Sequence, residues 1–224
     1  MSRVFVMGDI HGAHRAMLQC FARARFNYDH DHLICLGDVC DGWPDTQLCI
    51  DELLKVRHLT YIKGNHDELA LSWMKTGLPQ QHWLKHGGHA TMQAYSTGIP
   101  RAHMYFLEDA PLYYLQDNKL FVHAGIDPSL PLHEHTPAIL LYDRTLAQRA
   151  LQHTEPVPKI TSYDEVYLGH TPMQGGIPFH AYEVWLMDTG AGWSGPLTMM
   201  DIQSKQLYAS DPVPQLYPGV KGRG

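Results

Sequence analysis

Short apolar runs recur along the first third of the chain, and each closes on a glycine followed by a polar residue. Val4-Phe5-Val6-Met7 has no helical period and reads as a buried strand, with Gly8-Asp9-Ile10-His11-Gly12 as its exit loop. His14 to Arg25 has helical spacing, which places Met17, Leu18, Phe21 and Ala22 on one face. Leu33 to Leu36 repeats the strand pattern and runs into Gly37-Asp38-Val39-Cys40-Asp41-Gly42-Trp43-Pro44. Proline is tolerated in a first helical turn, so the next helix is expected from Pro44-Asp45-Thr46, with Leu48, Ile50, Leu53 and Leu54 as its apolar face. Leu59 to Ile62 is a third strand, Gly64-Asn65-His66-Asp67 its exit loop, and Glu68 to Lys75 a helix. Strand, loop and helix in three successive rounds predict an α/β fold with a parallel sheet covered by helices. Sites in such sheets form at the carboxyl ends of the strands, where all three loops fall.

The pattern then changes. Residues from about 77 to 110 read as a helical cap insertion, with one helix through Ser96 and another from Arg101 to Glu108. Leu112 to Leu115 and Lys119 to Val122 flank Gln116-Asp117-Asn118, which predicts a hairpin. His123-Ala124-Gly125 exits its second strand. Val166 to Leu168 is a further strand, ending in Gly169-His170-Thr171-Pro172. Late strands are expected at Glu183 to Met187, Leu197 to Ile202 and Gln206 to Tyr208. The sequence divides into a domain over residues 1–210 and a Pro- and Gly-rich segment, 211–224, expected to be loosely held.

Composition narrows the function classes. A formal charge of -6 supplies no broad basic surface, which argues against stable nucleic-acid binding. No apolar run reaches membrane-spanning length, and the opening MSRVFVMGD turns polar too soon for a signal peptide, so a cytoplasmic protein without a membrane partner is expected. Cys20, Cys35, Cys40 and Cys49 lack zinc-site spacing and read as reduced, packed thiols. Histidine is the unusual feature, with 16 residues, several of them in glycine-flanked loops after strands.

Those loops bring Asp9 and His11, Asp38 and Asp41, Asn65 and His66, His123, and His170 to one edge of a sheet. Divalent metals favour this mixture of oxygen and nitrogen donors. Two such ions sharing a carboxylate form a clamp for hydrolysing phosphate esters. Any one of these residues alone would be an ordinary turn or loop residue. Their joint occurrence after five apolar strands is the signal.

As a set, GDIHG (8–12), GDVCD (37–41), GNHD (64–67), HAG (123–125) and GHTP (169–172) resemble the calcineurin-like metallophosphoesterases, in particular the bacterial phosphoprotein phosphatase branch with its lambda-phosphatase-like members. WLKHGGHAT (83–91), FVHAGIDP (121–128), YDR (142–144) and MDTGAG (187–192) add to the likeness. The resemblance implies a four-layer α/β/β/α sandwich of two mixed sheets. By matching positions, it implies that Asp9 and His11 hold one metal, Asp38 bridges two, and Asn65, His123 and His170 complete the second site. His66 would be the general acid, oriented by Asp41. The implied cofactors are two divalent ions, manganese first, with iron, zinc or nickel as alternatives. The implied reaction is in-line attack of a metal-bridging hydroxide on phosphorus. The last motif has Thr171-Pro172 where nuclease-type members have a second histidine, which argues against that branch.

The departure lies at Gly42, where relatives have an arginine that clamps phosphate. Arg144 in YDR is the expected substitute, with Asn65 also gripping the substrate; Lys63, His86, His89 and Arg101 are weaker candidates. Trp43 could wall the cleft or pack beneath the cap, and Cys40 is a packing residue or a redox-sensitive thiol. The expected activity is hydrolysis of phosphomonoesters, on phosphorylated protein or small molecules. A symmetrical dinucleoside polyphosphate hydrolase and a non-catalytic scaffold are the alternatives. Oligomeric state is not readable.

Overall fold

The computed structural model describes residues 2–152 and 159–223. Among these, ten strands form two five-stranded sheets. The first contains β1 (Val4–Met7), β2 (His32–Cys35) and β3 (His58–Tyr61), which are parallel, together with β9 (Thr198–Asp201) and β10 (Leu207–Ala209), in the order β10-β9-β1-β2-β3. The second contains β4 (Tyr113–Gln116), β5 (Lys119–Val122), β6 (Glu165–Leu168), β7 (Phe179–Ala181) and β8 (Val184–Leu186), in the order β4-β5-β6-β8-β7. Both sheets mix parallel and antiparallel pairs.

Strand side chains alternate faces, and the alternation builds the layers. In β1, Phe5 and Met7 face a helix layer made largely by α1 (His14–Ala24), α2 (Thr46–Leu53) and α3 (Asn65–Thr76), while Val6 faces the other sheet. In β5 and β6, Phe121 and Tyr167 point inward and stack at 5° with ring centroids 4.7 Å apart. Leu120, Val122, Val166 and Leu168 point outward onto Leu140 of α7 (Pro137–Tyr142) and Leu146, Ala147 and Ala150 of α8 (Thr145–Gln152). The result is helix on sheet on sheet on helix, as the resemblance implied. Full burial of each such side chain contributes about 1.5–3 kcal/mol.

Several local expectations need correction. In α2 the buried side is Cys49, Ile50 and Leu53, while Leu48 and Leu54 are each 48% exposed. The helix starts at Thr46, and Leu48 lies about 200° around it from the buried Ile50, so the two cannot share a face. α3 begins at Asn65, because Asp67 accepts the backbone N–H of Gly64 and closes its first turn. Asn65 and His66 therefore sit on a helix start and not in a loop. β7, α7 and α8 were not among the expected elements, although Leu146, Ala147 and Ala150 give α8 a one-sided apolar pattern. The hairpin turn is as expected: Asp117 and Asn118 both have positive φ, the signature of a type I′ turn.

Residues 81–94 fold as α4 (Gln81–Trp83), a wide turn at Leu84–Gly88 and α5 (His89–Ala94), followed by α6 (Arg101–Glu108). The 211–223 segment is held against the body, contrary to expectation; Gly224 lies outside the described residues. It carries α9 (Val213–Leu216), and Val213 and Tyr217 are buried. Tyr217 stacks on Trp43 at 5.2 Å and its hydroxyl donates to Asp45 Oδ2 at 2.8 Å. No helix among the described residues is long and apolar enough to cross a membrane.

Candidate functional site

The strand-exit loops converge at the carboxyl ends of β1, β2, β5 and β6. His11, Asp38, Asp41 and His170 all adopt positive φ, which side-chain-bearing residues rarely do. Such strain persists only where surrounding structure enforces it, and it clusters at functional sites. Close packing explains two of the motif glycines. A Cβ on Gly64 would lie 2.0 Å from Asp38 Oδ1, and one on Gly169 would lie 2.2 Å from Asp9 Oδ1.

Two groups of ligand atoms, each within 4.8 Å of one another, share Asp38: Asp9, His11 and Asp38, and Asp38, His123 and His170. All five residues are buried. His11 Nδ1 lies 3.0 Å from the Cys40 carbonyl and His123 Nδ1 lies 2.7 Å from the Leu36 carbonyl. Both rings donate from Nδ1 to backbone, which leaves Nε2 as a lone pair aimed into the site. His11 Nε2 is 3.9 Å from Asp9 Oδ2 and 3.7 Å from Asp38 Oδ2, and His123 Nε2 is 3.5 Å from Asp38 Oδ2. These separations are too long for hydrogen bonds and leave room between donors.

The donor set fits divalent cations on three observations. His170 Nε2 is buried without a hydrogen-bond partner. His123 Nε2 faces Asn65 Oδ1 at 2.9 Å, so two acceptors point at one another. Burial pushes His11 well below the usual imidazole range, and burial together with neighbouring His123 brings His170 to about 3. Both rings are therefore neutral at pH 7, as a metal ligand must be. Burial and the charges of Asp188 and Asp38 push Asp9 up, and burial raises Asp188 to about 6. A cation would relieve this concentration of negative charge.

His66 and Asp41 form a second unit. His66 Nδ1 lies 2.5 Å from Asp41 Oδ2. Burial opposes a charged His66, but the charge of Asp38 and the hydrogen bond to Asp41 outweigh it and hold its pKa above the ordinary value. Asp41 is fixed by the cap: Thr91 Oγ1 donates to Oδ1 at 2.7 Å and Trp83 Nε1 to Oδ2 at 2.6 Å. Asp67 organises the loop beneath, accepting from the backbone N–H of Asp38 at 2.9 Å and of Cys40 at 3.2 Å and from the Tyr61 hydroxyl at 2.6 Å.

A cavity of about 240 Å³ opens beside Asn65, His66 and His170, and is also lined by Leu69, His82, His86, Tyr142, Arg144 and Arg223. Arg144 is at its wall, with Nη2 donating to the His170 carbonyl at 3.2 Å. The weaker candidates divide. His86 lines the cavity, but Lys63 is turned to the Glu108 carbonyl and Glu68, His89 lines a separate surface groove, and Arg101 is exposed and absent from the cavity wall. Trp43 is 1% exposed and donates to the Ala191 carbonyl at 2.7 Å, so it cannot stack on a substrate; it packs under the 211–223 segment and not under the cap. Burial pushes the Cys40 thiol well up, which leaves it a packing residue. Sequence reasoning gave no role to Trp83, Thr91, Asp67 or Arg223. WLKHGGHAT and the aspartate of GNHD were visible signals for the first three; Arg223 had none.

A family model described as calcineurin-like phosphoesterase matches residues 2–194. Serine/threonine-protein phosphatase 1 of Salmonella typhimurium is 26% identical over 204 residues, which is 89% of this chain and 92% of the relative. The symmetrical bis(5'-nucleosyl)-tetraphosphatase of Nitrosomonas europaea is 26% identical over 126 residues, covering 56% of this chain and 45% of its own. Among solved structures, one provisionally named diadenosine tetraphosphatase superposes with a TM-score of 0.70 at 18% identity, covering 93% of this chain and 92% of that one.

Proposed function

The chain belongs to the calcineurin-like phosphoesterase family, and on that premise we propose that it is a phosphatase of the phosphoprotein phosphatase type, hydrolysing phosphomonoesters on protein or small molecules with two divalent cations, manganese first. The observation that carries this reading is the His66–Asp41 pair at 2.5 Å, with His66 lining the same cavity as His170, a member of one of the two acidic and imidazole groups that share Asp38.

Asp9, His11 and Asp38 would hold one cation; Asp38, Asn65, His123 and His170 would hold the other. When bound, they supply Lewis-acid activation of water and neutralisation of phosphate charge. The chain's own residues do the rest. Asn65 sits in the first turn of α3, where its amide and the helix N-terminus favour a phosphoryl oxygen. Arg144, on the wall of the same cavity, supplies further guanidinium donors. His66 carries a proton at Nε2 because Nδ1 is engaged by Asp41, and it delivers that proton to the departing oxygen. Asp41, fixed by Thr91 and Trp83, keeps the ring aimed and its cationic form populated.

The similarity to serine/threonine-protein phosphatase 1 over 92% of that relative, against 45% of the tetraphosphatase, favours monoesters over the dinucleotide alternative. The cavity, about 240 Å³, has room for a phosphoryl group. The presence of His66 and the whole ligand set speaks against a scaffold without turnover.

The test is a substrate panel on manganese-loaded protein: p-nitrophenyl phosphate, phosphopeptides and diadenosine tetraphosphate, with His66→Asn as control. Turnover of the monoesters, with phosphopeptide hydrolysis sharply reduced by the substitution, supports the reading. Preference for the dinucleotide by orders of magnitude reverses the ranking, and equal background rates for both proteins favour the scaffold.

A further inference from the structure

Gly42 and Arg223 are related through space. A Cβ on Gly42 would meet Arg223 Cγ at 3.0 Å, and Gly42 has a φ of +91°. The volume a side chain at position 42 would occupy is therefore taken by the stem of Arg223. Two other glycines complete the channel: a Cβ on Gly87 would meet the same Cγ at 3.0 Å, and one on Gly192 would meet Cδ at 3.1 Å. Three glycines from separate loops thus border the stem of one arginine, although a Cβ on Gly87 would also lie 2.9 Å from Gly42 N and one on Gly192 2.6 Å from His11 Cδ2.

The backbone that delivers Arg223 is anchored independently. Its N–H donates to the Gly192 carbonyl at 2.7 Å, and Gly222 lies against Trp43, whose indole a Cβ there would meet at 2.8 Å. Tyr217 stacks on the same indole. The guanidinium lies 4.4 Å over the Trp193 ring, donates from Nε to the His86 carbonyl at 3.1 Å and approaches His11 Nε2 with Nη1 at 3.1 Å. Among the described residues none of its hydrogen bonds goes to a carboxylate. It lines the same cavity as Arg144 and His66.

We propose that Arg223 is the phosphate-binding arginine of this site, taking the place of the one absent at Gly42 and gripping the phosphoryl group opposite Arg144. The proposal rests on the phosphatase reading above. A cation on His11 Nε2 and an N–H from Arg223 cannot share one lone pair. With a cation held there, Nη1 would give up that contact, while the Nε bond to the His86 carbonyl and the backbone bond to Gly192 need not change. The Nη donors then face the cavity, where a planar fork matches two phosphoryl oxygens and a lysine does not.

The experiment is calorimetric titration of inorganic phosphate into the full-length manganese-loaded protein, comparing wild type with Arg223→Ala and Arg223→Lys, and with the manganese affinity of each measured alongside. The expected result is a loss of phosphate affinity of about ten- to a hundredfold in Arg223→Ala, matching removal of a charge-assisted contact. Arg223→Lys, which keeps the stem in its glycine channel and guards against a merely unfolded segment, recovers little of it, and manganese affinity does not fall. Phosphate affinity within about twofold of wild type in both variants overturns the proposal. So does unchanged phosphate affinity with tighter manganese binding, which would make Arg223 a plug of the metal site. Wild-type protein that binds no phosphate overturns the phosphatase reading itself, and this proposal with it.

Discussion

The indole of Trp83 donates a 2.6 Å hydrogen bond to Asp41 Oδ2, the oxygen that lies 2.5 Å from His66 Nδ1. The helical insertion is thereby tied to the candidate acid. Thr91 secures the other oxygen, so the carboxylate has no freedom to rotate away from the imidazole. Gly88 packs on the face of Trp83, where a Cβ would fall 2.5 Å from the ring. The cap fixes the orientation of the dyad as well as covering it.

Trp83→Phe should keep most of the packing but leave the buried carboxylate one donor short. The expected cost is about 1–3 kcal/mol in urea-denaturation stability, with a fall in kcat and little change in KM. A variant with unchanged kcat would show that the indole serves packing alone.

His66→Asn should lower kcat by about 100- to 10,000-fold on a phosphoserine peptide, whose alkoxide must be protonated to leave. p-Nitrophenolate departs readily without a proton, so the loss on p-nitrophenyl phosphate should be much smaller. Equal losses on both substrates would place His66 outside proton transfer.

Much of this candidate site was legible in the sequence because the residues that the structure brings together follow strands directly. An apolar run of four residues places its exit residue with little ambiguity, and glycines next to Asp38, Asn65 and His170 mark the close approach of loops. The four-layer arrangement was expected only through the family resemblance; the alternation of Phe5, Val6 and Met7 supplies its physical reason. What could not be read depends on distant packing. Nothing near Gly42 announces a side chain from position 223, and nothing near Asp41 names Trp83 and Thr91 as its partners. The helix face at Leu48 was misassigned because Leu48 and Ile50 are two residues apart, which is about half a turn in any α-helix, so they cannot share a face. The 211–223 segment looked loose by composition, yet Tyr217 and Val213 bury apolar surface against Trp43 and α1.

In metal-free protein, the His66 ring should titrate above the ordinary imidazole value of about 6.5, observable by NMR. The sign follows from linkage: a raised folded pKa contributes stability fully present below the unfolded value and lost as pH rises through the folded one. Asp41→Asn should bring the midpoint down and flatten that part of the stability profile. A midpoint at or below the ordinary value in wild-type protein would contradict the pairing.

His170→Ala should cost metal-free protein only the packing of the ring against His123 and Tyr142, since no hydrogen bond is lost at Nε2. In wild-type protein, manganese at about 100 times its dissociation constant should add about 2.7 kcal/mol per site, and the variant should lose the gain from one site. A variant that retains the full manganese-dependent shift in Tm would remove His170 from the ligand set.

The central claim is that Asp38 joins two metal sites into one. Electron paramagnetic resonance of the manganese-loaded protein tests it most directly. Two Mn2+ ions per chain with an exchange-coupled spectrum, abolished in Asp38→Ala, is the predicted result. A spectrum of isolated, uncoupled Mn2+ in the wild type, or a coupled one that survives in Asp38→Ala, would contradict it.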